Sequence, residues 1–79
     1  VTQLPSDGAE YIGADAAIEI ASAHSGITQS DMLKKEAKLK IIKGAYVYEV
    51  EFETPEYEFE YLIDAKTGKI LSAEKELND

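Results

Sequence analysis

Six glutamates stand between Tyr48 and Tyr61 in the stretch YEVEFETPEYEFEY, and they are the residues of this chain best placed to do chemistry. Glu51, Glu53, Glu58 and Glu60 are spaced to offer oxygens to a weakly held cation such as Ca²⁺, or to dock a basic segment. Strand-borne carboxylates lack the loop carbonyls that usually complete a calcium shell. The first reading is therefore a solvated sheet face that keeps the domain soluble and discourages edge pairing. His24, the only histidine, has Ser22 and Ser25 for neighbours, but helix residues one or two apart point in different directions, so no nucleophile–base pair is expected. A half-buried structural role is expected for it. Asp64, Thr67 and Gly68 carry turn chemistry, with neither EF-hand spacing nor a phosphate-cradling glycine loop. With no cysteine and one histidine, a Cys/His metal cage is excluded. These residues nominate no catalytic group and no cofactor.

The elements that must position the glutamates follow from periodicity. In GADAAIEIASAHSG, Ala17, Ala21 and His24 share one helical stripe, flanked by Ile18 and Ile20. Gly13 suits the N-cap, Asp15 favours the first turn, and Gly26 suits the residue after the helix. From Met32 onward the period changes to two. Ala37, Leu39 and Ile41 form one apolar face, continued by Tyr46, Tyr48, Val50 and Phe52, then by Tyr57, Phe59, Tyr61 and Ile63; a shorter strand over 69–75 follows.

Three turns set the expected register. A type II′ loop at Gly44–Ala45 pairs Lys43 with Tyr46, Ile41 with Tyr48, Lys40 with Glu49 and Lys38 with Glu51. A turn at Pro55–Glu56 sets Phe52 opposite Phe59, Glu51 opposite Glu60 and Glu53 opposite Glu58. The loop after Asp64 brings Leu62 opposite Leu71. The fold class is α+β: one N-terminal helix packed on an antiparallel three- to four-stranded meander sheet. At the far end of the outer face this register gathers Ile42, Val47, Leu62 and Leu71, an apolar cluster open to a partner or closed by Leu4 or Leu77.

The 79 residues carry sixteen acids against eight lysines, a formal charge of −8, which disfavours nucleic acid and anionic membrane surfaces as partners. No apolar run approaches the ~20 residues needed to span a bilayer. Residues 1–10 have linker composition, 11–76 make the single domain and 77–79 a tail; the whole has the character of a domain cut from a longer protein.

The runs YIGADAAIEIASAHSGI, GAYVYEVEF and EYEFEYLIDAKTGKIL resemble the PepSY family, found in thermolysin-type propeptides and YpeB-like germination proteins. Tyr48-Glu49-Val50 and Ile63 to Ile70 carry the resemblance most specifically. Ile41-Ile42-Lys43 stand before Gly44, where related sequences often carry acidic residues. The resemblance implies a small extracytoplasmic bacterial domain, secreted or attached to the envelope, with no catalytic residues and a role in regulating peptidases. The expected function is thus a non-enzymatic interaction domain that modulates or inhibits a peptidase by docking through Ile42, Val47, Leu62 and Leu71. Its partner would be a peptidase or a neighbouring tandem domain. The alternative is a weak cation-binding or spacer module of an envelope protein.

Overall fold

The computed structural model describes residues 11–78; the expected linker 1–10, including Leu4, and Asp79 lie outside the described residues. Helix α1 (Ala14–Ser25) begins after Gly13 and ends where Gly26 turns left-handed and donates its N–H to the Ser22 carbonyl. Strands β1 (Lys34–Ile42), β2 (Ala45–Glu53), β3 (Tyr57–Asp64) and β4 (Ile70–Leu77) follow as one antiparallel meander in sequence order. This is the expected α+β arrangement, with β4 reaching two residues past the end read from the pattern.

The core lies between α1 and one sheet face. Ala17 and Ala21 of the helix are fully buried against a layer made by Tyr48, Val50, Phe52, Phe59, Tyr61 and Ile63. Alanines on the packed stripe let the helix axis lie close to the sheet, and the aromatic rings fill what remains. Phe52 stacks on Phe59 with ring centroids 4.7 Å apart and lies near-parallel to Tyr61 at 6.1 Å.

The Pro55–Glu56 turn forms as its sequence predicts. The Thr54 hydroxyl accepts the N–H groups of Glu56 and Tyr57, and Thr54 N–H donates to the Tyr57 carbonyl at 2.8 Å. The expected pairs Phe52–Phe59, Glu51–Glu60 and Glu53–Glu58 all occur, and with them Val50–Tyr61.

The first hairpin differs. Its loop is Lys43–Gly44, with φ of 52° and 82°, and Ile42 closes on Ala45. Two left-handed central residues make a type I′ turn, whose twist matches the strands. The register therefore moves by two residues: Leu39 lies opposite Tyr48, Lys38 opposite Glu49 and Glu36 opposite Glu51. A shift of two preserves the faces, so the inward and outward sets survive while the cross-strand charge pairs change.

The second difference is in β4. Leu62 lies opposite Ser72, not Leu71, because the register breaks between Ile63–Ile70 and Leu62–Ser72 and leaves Leu71 as the extra residue of a bulge. Without the bulge, Glu74 and Glu76 would sit beside Phe59 and Tyr57 on the core side. With it, Ala73, Lys75 and Leu77 take the core side and the glutamates turn outward. Lys75 lies over the Tyr57 ring at 4.2 Å, so its charge covers the aromatic edge of the core.

The third turn is tied by Asp64. Its carboxylate accepts the Lys66 and Thr67 N–H groups at 2.8 and 2.9 Å, which hold the carboxyl below its usual range. Gly68 completes the turn at φ 79°, and a Cβ there would stand 3.1 Å from the Ile20 methyl of α1. Gly68→Ala is expected to destabilise the domain by about 1–2 kcal/mol from the left-handed backbone alone. Urea unfolding checks this; an unchanged midpoint would show that the turn relaxes freely.

Candidate functional site

The outer face of the sheet is organised as cross-strand rungs. At one end Lys34, Glu53, Glu58 and Glu76 line up across the four strands. The next rung is all glutamate: Glu36, Glu51, Glu60 and Glu74. Beyond it come Lys38, Glu49, Leu62 and Ser72, then Lys40, Val47 and Asp64, and finally Ile42 and Ala45. The face thus passes from carboxylate rungs to mixed ones, in which Leu62, Val47 and Ile42 stand among Lys38, Glu49, Lys40 and Asp64. An open groove of about 430 Å³ runs over the two acidic rungs.

The four expected cation candidates are all here, but they divide. Carboxylate oxygens of Glu51 and Glu60 converge with one from Glu49 to within 4.8 Å of one another. Glu53 and Glu58 face each other on the adjoining rung, where Glu53 also meets Lys34 at 3.7 Å and the Asn78 amide at 3.3 Å. Sequence reasoning missed Glu49 as the third member, and it missed Glu36, Glu74 and Glu76 as rung partners. Only the true registers of β1 and β4 bring those three onto the row.

Lys40 pairs with Glu49 at 2.5 Å, as expected, though diagonally and not directly across. That bond holds the Glu49 carboxyl below its usual range and Lys40 above its own. Glu60 is pushed the other way, first by its hydrogen bond to Glu49 and then by burial. The neighbouring carboxyls thus shift in opposite senses: the one held by Lys40 keeps its charge more readily, and the one beside it takes a proton more readily.

This pair sets the sign of the pH dependence. The raised Glu60 stabilises the fold below the ordinary glutamate range, and that contribution is lost as pH rises through its folded value. The depressed Glu49 and Asp64 act oppositely and lose their contribution as pH falls through theirs. Thermal stability is therefore expected to rise on acidification from neutral, to peak at about pH 4–5, and then to fall. Glu60→Gln should raise the midpoint at neutral pH and flatten the rise, as read by circular dichroism across pH. An unchanged slope would contradict the upward shift of Glu60.

At the apolar end the four expected contact residues differ in access. Ile42 is 37 % exposed, Leu71 on its bulge is 50 % exposed, and Leu62 is half-buried. Val47 is only 2 % exposed, although alternation puts it on the face away from α1 and outside the core cluster. Ile42, Leu62 and Leu71 are thus the members whose side chains reach the surface.

His24 is exposed and not half-buried, with its Nδ1 2.9 Å from the Tyr61 hydroxyl. Burial holds the Tyr61 phenol above its usual range, with the Ser25 hydroxyl pulling the other way. The Ser22 hydroxyl donates to the Ile27 carbonyl and that of Ser25 to the Ser22 carbonyl, so both serve the helix end. These three side chains do the work of a helix terminus. Among the described residues no helix is long and apolar enough to cross a membrane.

No curated protein matches the chain significantly, and no solved structure does. The family model described as peptidase propeptide and YPEB domain matches residues 11–74, from the residue before Ile12 through most of β4. A match over most of the chain, on a helix and meander sheet with the expected turn residues, shows that the chain belongs to the PepSY family of peptidase-propeptide-like modules.

Proposed function

We propose that this chain is a non-catalytic, extracytoplasmic regulatory domain that docks on a peptidase through the outer face of its sheet. The observation that carries the reading is the graded face itself. Acidic rungs supply long-range attraction toward a basic surface, and they lead into Ile42, Leu62 and Leu71, which supply apolar contact above the buried Val47. Helix α1 occupies the other face, and among the described residues the outer one carries no helix, which suits it to a partner. Family membership supports the peptidase, since PepSY modules are generally non-catalytic propeptide and regulatory domains, typically extracellular or periplasmic in bacteria. A neighbouring tandem domain is the other occupant of this face.

The test is capture from an envelope extract of the source organism, with peptidase activity assayed in the retained fraction. Wild type is compared with an Ile42→Glu, Leu71→Glu variant, both sites being exposed enough to leave the fold intact. A peptidase held by the first and lost by the second is the expected result. Equal retention, or no peptidase at all, would count against the proposal.

The convergence of Glu49, Glu51 and Glu60 favours a second reading, a weak divalent-cation module. A cation there would relieve the like charges of the glutamate rung and raise the melting midpoint. Calorimetry giving no heat with millimolar Ca²⁺ would remove this reading.

A further inference from the structure

Among the described residues, β1 and β4 are the two unpaired edges of the sheet, and each exposes a row of backbone groups able to pair with another strand. In β4 the even-numbered residues bond toward β3, as Asn78 N–H to the Glu56 carbonyl at 2.9 Å indicates, so residues 73, 75 and 77 direct their backbone groups outward. In β1 the two-residue hairpin makes Ile42–Ala45 the closing hydrogen-bonded pair, which leaves residues 35, 37, 39 and 41 outward.

We infer that the β4 edge of one copy of this chain docks on the β1 edge of a second copy, continuing the meander antiparallel from one sheet to the next. Strand direction permits it, because β1 and β4 run oppositely within the meander. Charge selects the register. With Glu76 opposite Lys38 and Glu74 opposite Lys40, two lysines already held by Glu36 and Glu49 each face a second carboxylate, and no like charges stand directly opposed. On the helix side the same register sets Leu77 opposite Ala37, Lys75 opposite Leu39 and Ala73 opposite Ile41. Outward backbone groups then meet outward backbone groups at every pair.

Neighbouring registers are worse. A slip by two in one direction places Glu76 against Glu36; in the other it leaves Glu74 against Ile42. Pairing β4 with itself sets glutamate against glutamate or leaves the carboxylates without a cation. Two further observations agree with the second copy. Ile41 and Leu77 are 61 % and 75 % exposed and lie on these edges, where a neighbouring strand would cover them. The Glu36 end of the glutamate rung meets Lys38 at 3.4 Å, whereas Glu74 at the other end has no ion pair among the described residues, and the neighbour's Lys40 supplies one. A head-to-tail contact of this kind is heterologous, so it leaves one edge of each type free and can propagate. It uses the edges and is independent of the outer-face docking proposed above.

The test uses the 79-residue chain and two double variants, Lys38→Glu with Lys40→Glu and Glu74→Lys with Glu76→Lys. Sedimentation equilibrium up to millimolar concentration should show wild type associating and each variant alone associating about tenfold more weakly. Mixing the two variants should restore association, because each then offers the edge the other needs. Ala73→Pro, which removes one outward N–H and no bond to β3, should weaken association of the otherwise unaltered chain and guards against misfolding of the charge variants. A β4 variant that associates as well as wild type would show β1–β1 pairing instead and overturn the inference. A mixture that stays monomeric, or a wild type monomeric at millimolar concentration, would overturn it as well.

Discussion

Phe52→Ala is expected to leave this domain close to unfolded at 25 °C. Phe52 is 1 % exposed and stacks near-parallel with Phe59 and Tyr61, so it joins the central strands at the middle of the core. Truncating a buried phenylalanine costs about 3–5 kcal/mol in lost transfer energy and cavity. A chain of this length holds a margin on the order of 4–12 kcal/mol. With neither disulfide nor metal cage to add to it, the lower part of that range applies. The melting midpoint should fall by roughly 12–40 °C. A fall of only a few degrees would mean that α1 collapses into the cavity, and that the core is less tightly fixed than the stacking implies.

Ala21→Leu is expected to be the second-largest loss. Leucine is nearly as good a helix former as alanine, so local propensity alone foresees little change. Ala21, however, is fully buried against the aromatic layer, and three added carbons must push the helix off the sheet. Overpacking of this kind costs about 1–3 kcal/mol. Ala23→Leu is the control, since Ala23 is exposed on the same helix and should change stability by less than about 0.5 kcal/mol. If the two variants melt alike, the close helix–sheet approach is not what holds the fold.

The parts of the fold that were legible in sequence are those fixed by one strong local signal. Gly13 and Gly26 bracket α1, and Pro55 with Thr54 fixes the β2–β3 register to the residue. The first hairpin was not, because Gly44 fits the first central position of one turn type and the second of another. The choice fell on the arrangement that places Lys43 at φ 52°, a conformation a lysine does not advertise. The bulge at Leu71 was hidden for a related reason: it is selected by what it prevents, two glutamates against Phe59 and Tyr57, not by a residue that marks it. The candidate site inherited both errors. The acidic residues of β2 and β3 were found, while Glu36, Glu74 and Glu76 joined the rows only once the outer strands were in register. The burial of Val47 is a property of the assembled face, and alternation alone reads it as open.

The most direct measurement of the account is the affinity of the captured peptidase for three forms of the domain. These are the wild type, the Ile42→Glu, Leu71→Glu variant and Glu19→Lys, an exposed change on α1. Docking through the outer face predicts at least about a tenfold loss for the double variant, or 1.4 kcal/mol, and no change for the helix variant. The reverse pattern, with the helix variant weakened and the double variant unaffected, would place the contact on the other side of the sheet and contradict the account.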